Sequence, residues 1–258
     1  GHLLHDVGAE AGICMDHLVF GRDARTTLAF VKTFENGDRD FSFYRNPGAD
    51  MLLTEDELPL DVIAGSRIFH FGTLSMTHEG VRQATCKAIG SAKAGGALIS
   101  FDPNLRPPLW DSLEDARTQI SYGLAHCDIL KIADNELVFM TGETDFDKGA
   151  AILRDRFPSI RLFNVTAGAD GSYSYYGDKR VFVPACKLGG TIETTGAGDT
   201  FCACVLSFVL ERGLDGLTEA DLTEMLTFAN TAAYLVTTRK GAIRSMPERA
   251  EVEALLGR

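Results

Sequence analysis

Short apolar runs alternate along the chain with longer stretches in which apolar residues return every three or four positions. "DVIAGSRIFHFG" runs into a strand at 67 to 71, and "ALISFDPN", "CDILKIA" and "RLFNVTAG" read as further strands, each closed by turn-forming residues. Between them, "EGVRQATCKAIGSAKAGG" has helical spacing and a glycine stop, and helices are expected near 112 to 126, from 134, at 199 to 212 and at 219 to 237. Two hairpins complete the pattern. "TTLAFVKTFENGDRDFSFYR" (26 to 45) is two strands about Asn36 and Gly37, a pair suited to mirror-image turns, and a second hairpin is expected near 172 to 184. Strands alternating with helices imply an α/β fold, with a largely parallel sheet covered on both faces. In such sheets ligands sit at the carboxyl ends of the strands. The polar punctuation falls there, as "DPNLR", "ADNE" and "TAGADG".

Composition narrows the classes. At 258 residues and 45% hydrophobic, the chain can form one large α/β core, and no repeat or low-complexity stretch divides it. A net charge of -11 leaves no basic stripe for a nucleic-acid backbone. The longest apolar run falls well short of the roughly 20 residues of a membrane span. Six cysteines without CxxC spacing argue against zinc and a disulfide framework, and read as reduced thiols of a cytoplasmic protein.

The chemistry concentrates in "ETTGAGDTFCACVLSFVLERG". Gly196 and Gly198 let the backbone bring its amides close to a ligand, and the helix that follows turns free N–H groups and its positive dipole end to the same place. Asp199 there is either an N-cap or a general base beside an anion hole. No GxxxxGK follows, so the loop is not a Walker A loop, and Phe201 occupies the place of the third glycine of a dinucleotide fingerprint. That substitution disfavours a dinucleotide-dependent dehydrogenase.

"TTGAGDTF" closely resembles the second signature of the PfkB, or ribokinase-like, carbohydrate kinases. "ENGDRDFSFYRNPGAD", "FDPNLR", "LKIADNELVFMTG", "VTAGADGS" and "FANTAAYLVTTRKGA" follow the order seen in bacterial fructokinases of that family. The resemblance implies a three-layer αβα fold with a mostly parallel central sheet and a small β lid. It implies a single domain spanning 1 to 258, with a lid hairpin insertion at about 26 to 45. The activity implied is transfer of the γ-phosphate of ATP to a primary hydroxyl of a sugar, D-fructose first. A 2-keto-3-deoxygluconate kinase, a nucleoside kinase and a nucleotide-binding fragment without turnover are the alternatives.

The resemblance also assigns roles. Asp199 would be the base, with Gly196, Ala197 and Gly198 forming the anion hole beside it. Thr166, Gly168 and Gly171 of the T-x-G-x-x-G turn, together with Thr195, would lie along the nucleotide, where the residues alone suggest a turn into a hairpin. Asn230 and Gly241 match the region lining the adenine, and Asn230 could equally be a packing residue. Glu136 would help hold Mg²⁺ through water, its alternative being a solvated helix-face glutamate, and Ala133 replaces the asparagine that normally opens that motif. Arg45 and Arg106 would reach the sugar or phosphate with their forked donors. Phe43 would cover the sugar or join the core, and Asn104 would touch substrate or shape its turn with Asp102. Glu193 stands where many members have an aspartate that binds a monovalent cation, so K⁺ is a candidate, with Ser245 and the backbone near Gly241 completing the site.

The sugar is the expected small-molecule partner, with neither nucleic acid nor membrane. A homodimer through the lid is expected from Phe30, Phe34, Phe41 and Phe43. Relative to the family, the chain opens at "GHLLHDVGAEAGI", so about 60 residues that include a central strand are expected to be missing, with an unpaired sheet edge as the consequence.

Overall fold

Four parallel strands carry the architecture: β3 (Ile68–Gly72), β4 (Leu98–Asp102), β5 (Ile129–Ala133) and β6 (Leu162–Thr166) lie side by side in chain order. The sheet continues antiparallel into β7 (Gly171–Tyr176) and β8 (Lys179–Pro184), the expected second hairpin. Ahead of these, β1 (Leu28–Thr33) and β2 (Arg39–Tyr44) form a separate antiparallel pair, with Leu28 opposite Tyr44. The computed structural model describes residues 1–33 and 39–257, and of residue 33 and residues 39–41 the backbone alone. The predicted turn at Asn36 and Gly37, with Phe34 and the side chain of Phe41, lies outside the described residues.

The helices are α1 (His2–Glu10), α2 (Leu60–Ala64), α3 (Glu79–Ala94), α4 (Leu113–His126), α5 (Asp134–Thr141), α6 (Phe146–Arg156), α7 (Ala197–Arg212), α8 (Glu219–Thr237) and α9 (Arg249–Leu255). The expected helix from 134 is two helices, α5 and α6. It breaks at Gly142, whose φ of 73° is left-handed, and α6 restarts on Asp145, which caps the amides of Asp147 and Lys148.

The two-residue period of the strands sorts two cores. Leu130, Ile132 and Phe163 point to one face and pack with Ile89, Leu124, Leu137 and Leu153 of α3 to α6. Ile129 and Leu162 point to the other, against Val205 and Val209 of α7 and Leu222 and Leu226 of α8. Each of these fully buried side chains contributes about 1.5–3 kcal/mol of burial. The result is the three-layer αβα arrangement, with β1 and β2 as a small sheet apart from it. All six cysteines are free, and among the described residues no helix is long and apolar enough to cross a membrane.

Candidate active site

A cavity of about 680 Å³ opens at the carboxyl ends of β4, β5 and β6 and is closed on its far side by the first turn of α7 and the middle of α8. The topology dictates that location, because each parallel strand ends there and hands the chain to a loop. Twelve of the residues expected in a site line it: Asn104, Arg106, Glu136, Thr166, Gly168, Gly171, Thr195, Gly196, Ala197, Gly198, Asp199 and Asn230. Phe43, Arg45, Glu193 and Gly241 are not among its lining residues.

The segment expected to form the anion hole is backbone at the start of α7. Gly196 is the N-cap of α7 with φ of 80°, a conformation that costs an L side chain about 1–2 kcal/mol. From it the free amides at the start of α7 face the cavity with the positive end of a 16-residue helix behind them. Asp199 is the third residue of that helix and exposed, and α7 has no side-chain cap. The N-cap reading of Asp199 therefore fails, because glycine holds that position and leaves the carboxylate facing solvent at the cavity mouth.

The T-x-G-x-x-G turn is equally tight. Ala167 donates its N–H to the carbonyl of Gly171 at 2.9 Å, and Gly171 has φ of 129° with no room for a side chain: a Cβ would stand 2.2 Å from the carbonyl oxygen of Val183. Asn230 is buried on α8 and fully engaged, accepting from Ser172 Oγ at 2.8 Å and donating to the carbonyls of Val183 and Pro184. It joins α8 to the β7–β8 hairpin, so its packing role is plain even though it borders the cavity.

Glu136 is not a solvated helix-face residue. It is 4% exposed, and its two oxygens accept the N–H groups of Leu105 and Ala133 at 2.7 and 2.8 Å, which ties the turn after β4 to the start of α5. Burial, followed by the Asp102 carboxylate, raises its pKa, and Lys131 and the two amides oppose them. With Ala133 at the N-cap, the glutamate itself supplies the missing polar partner.

Asn104 is the one described non-glycine residue with positive φ, at 45°, and its N–H donates to Asp102 Oδ1 at 3.2 Å. Both of its expected roles meet there, since it shapes the turn and lines the cavity. Arg106 donates to the carbonyls of Asn104 and Leu105 at 3.3 and 3.1 Å.

Arg45 departs most from expectation. Its guanidinium turns inward, with Nε on Asp50 Oδ2 at 2.8 Å, Nη1 on Thr77 Oγ1 at 2.7 Å and Nη2 on the Leu74 carbonyl at 3.0 Å. It fastens the end of β2 to the turn after β3. Phe43 is half-buried one strand position away from the exposed Tyr44. Glu193 accepts the Gly241 N–H at 2.7 Å, and Ser245 donates to the carbonyls of Gly241 and Ala242, so the segments expected around a monovalent cation are in contact.

Lys131 escaped the sequence reading. It sits in "ILKIA", a buried strand where a lysine looks accidental, yet it lines the cavity with Nζ 3.1 Å from Asp102 Oδ2. Burial works to lower its pKa, but the Asp102 and Glu136 carboxylates outweigh this and hold it above the ordinary lysine value. Its signal was the single charge in an otherwise apolar parallel strand.

The family model described as pfkB family carbohydrate kinase matches residues 1–249. The probable fructokinase-4 of Arabidopsis thaliana is 41% identical over 99% of this chain and 78% of its own length, and fructokinase-2 of Solanum habrochaites is 41% identical over 99% and 77%. Among solved structures, the ATP-bound fructokinase of Xylella fastidiosa superposes with a TM-score of 0.89 at 30% identity, covering 99% of this chain and 81% of that one. The fructokinase of Vibrio cholerae bound to fructose, ADP and calcium gives 0.87 at 27% identity, with the same coverage. The family model over residues 1–249 and the relatives matched over nearly the whole chain, with the glycine-led start of α7 at the cavity, make this chain a member of the pfkB family of carbohydrate kinases.

Proposed function

We propose that the chain is an ATP-dependent fructokinase that transfers the γ-phosphate to a primary hydroxyl of fructose. The observation that carries the reading is the Asp199 carboxylate, unspent on capping, beside the amides that follow Gly196. The nucleotide occupies the cavity from the Thr166–Gly171 turn to Asn230, with its terminal phosphate against those amides. Asp199 accepts the proton of the sugar hydroxyl, and the amides and helix dipole take up charge on the phosphoryl group in flight.

Mg²⁺ fits this donor set only as an ion carried by the phosphates and water. Among the described residues no group of three or more acidic, histidine or cysteine side chains converges, and both Glu136 oxygens already accept amides. A carboxylate retains lone pairs for a further donor, so Glu136 would hold the ion through one of its waters. When bound, Mg²⁺ neutralises phosphate charge. K⁺ belongs to the same proposal, beside Glu193 and the carbonyls of Gly241 and Ala242, which offer the oxygen donors such a cation takes.

We also place a homodimer on the lid. Leu28, Phe30 and Tyr44 share one face of the β1–β2 pair and are 52%, 62% and 68% exposed. Light scattering that reports a single-chain particle at micromolar concentration removes the dimer. The setting is cytoplasmic, in keeping with six free thiols.

The kinase reading is tested by ADP release with MgATP across a panel of sugars. Fructose is expected to lead the panel, and Asp199→Asn is expected to lower kcat by about 10²–10⁴-fold while leaving nucleotide affinity in place. Full activity in Asp199→Asn would refute the assignment of the base.

A further inference from the structure

One buried ion pair, Lys131 with Asp102, has no part in the phosphoryl transfer described. Lys131 and Ile129 occupy alternate positions of β5 and so share its face towards α7 and α8, where Ile129 packs among aliphatic side chains. Lys131 is 5% exposed, and it is a lining residue of the cavity. Its Nζ lies 3.2 and 3.1 Å from the two Asp102 oxygens. It also abuts the start of α7: a Cβ built on Gly198 would stand 3.1 Å from Nζ, its nearest contact outside the local helix backbone. The ammonium therefore stands beside Gly198, next to the amides expected to receive the terminal phosphate.

A purely architectural role explains this poorly. Burying two charges costs several kcal/mol each, and an apolar pair of equal volume is commonly as stable or more so. A lysine in mid-strand that lines the cavity and reaches Gly198 instead has the properties of a point-charge phosphate donor. Asp102 accepts from both Lys131 Nζ and the Asn104 N–H, so it fixes the direction of the ammonium.

We infer that Lys131 is a further catalytic residue whose ammonium donates to the terminal phosphate through the gap left by Gly198, with Asp102 as the positioning residue that aims it. The inference rests on the kinase reading and deepens it, because it assigns recognition of the third phosphate to a side chain as well as to backbone. When the phosphate arrives, the ammonium shares its protons between Asp102 and a phosphate oxygen. No bond is made or broken at Lys131. A Cβ at position 198 would press the ammonium aside by a few tenths of an ångström, which gives that glycine a second reason beyond backbone access.

The test is calorimetric and needs no turnover. Binding of MgADP and of magnesium with a non-hydrolysable methylene analogue of ATP is measured on the unaltered chain, on Lys131→Met and on the Lys131→Met/Asp102→Asn double variant, with a melting curve for each. Lys131→Met is expected to lose about 10- to 100-fold in affinity for the triphosphate analogue, the size of one charge-assisted hydrogen bond, while MgADP affinity changes by less than about threefold. The single variant strands Asp102, so it melts early. The double variant removes that stranded charge and is expected to regain melting temperature without regaining the triphosphate preference. Analogue affinity that returns together with the melting temperature, or equal losses for both nucleotides, would overturn the inference and leave Lys131 a structural ion pair. If the unaltered chain bound neither nucleotide, the kinase reading would fall and take this inference with it. If it bound both while Lys131→Met showed no selective loss, the kinase reading would survive alone.

Discussion

The two ends of the molecule hold their functional residues by different means. At the end proposed for the nucleotide, the turn from Thr166 to Gly171 and the loop into α7 are shaped by backbone in left-handed or tightly apposed conformations, as in the bond from Ala167 to Gly171, and side chains brace them from Ser172 to Asn230 and from Glu193 to the Gly241 N–H. At the lid end, the groups expected near the sugar are side chains on a two-stranded sheet, with Tyr44 68% exposed and Arg45 engaged with Asp50, Thr77 and Leu74. Phosphate is recognised by amides that a loop can preorganise alone, whereas a polyol needs side chains carried in from several elements. The first kind of site leaves little freedom to its residues. The second keeps its geometry only while distant elements stay fastened together.

The sharpest way to break this contrast is at Gly171. Its φ of 129° excludes an ordinary side chain, and a Cβ would also meet Pro184 Cα at 2.8 Å and Ala185 N at 2.9 Å, all of them backbone atoms that cannot step aside singly. Gly171→Ala is expected to destabilise the fold by about 3 kcal/mol, combining left-handed strain with overpacking. Nucleotide affinity should fall with it, because the turn is both scaffold and lining. Denaturant melts with and without MgATP check both effects. A variant of unchanged stability would show that the nucleotide end is no more rigidly built than the lid.

That asymmetry also explains what could be read from the residues. Backbone devices advertise themselves locally: "TTGAGD" and "TAGADG" place glycines where positive φ is needed, and Gly168, Gly171 and Gly196 all have it. The parallel strands themselves followed from apolar runs and their polar endings, since a strand buried on both faces has few alternatives. Side-chain partnerships were hidden. Glu136 was expected to hold Mg²⁺ through water or to be a helix-face carboxylate, and nothing in "ADNE" shows that Leu105, 31 residues earlier, would turn its amide towards it. The inward turn of Arg45 likewise depends on Leu74 and Thr77, which lie beyond three intervening helical segments and a strand. Short amphipathic pieces such as α2 and α9 lack the length that makes a helical period visible.

The lid end can be sharpened at Arg45. Its side chain is 4% exposed and that of Asp50 is 46% exposed, so the pair is half screened and Arg45→Ala is expected to cost about 1–2 kcal/mol, mainly through the lost bonds to Thr77 and Leu74. The KM for sugar is expected to rise while the KM for ATP holds, because the residue fastens the lid and leaves the phosphate loops untouched. Asp50→Asn should reproduce a fraction of the same sugar effect if Arg45 acts as a strut. A sugar defect confined to Arg45→Ala, with none in Asp50→Asn, would mean that the guanidinium swings out to grip the substrate directly.

The smallest effect on folding is expected at Phe30, and it isolates what the lid surface is for. Its side chain is 62% exposed on the face it shares with Leu28 and Tyr44, so Phe30→Asp removes little buried area and should change stability by no more than about 0.5 kcal/mol. At Gly171 a single added carbon meets backbone on three sides. Here a whole ring can become a carboxylate and the fold persists. If the face is a dimer contact, the change buries a charge at that contact and shifts the light-scattering mass from two chains to one. An unaltered two-chain mass would move the contact to another surface, and the lid would then owe its exposed aromatics to closure over the sugar alone.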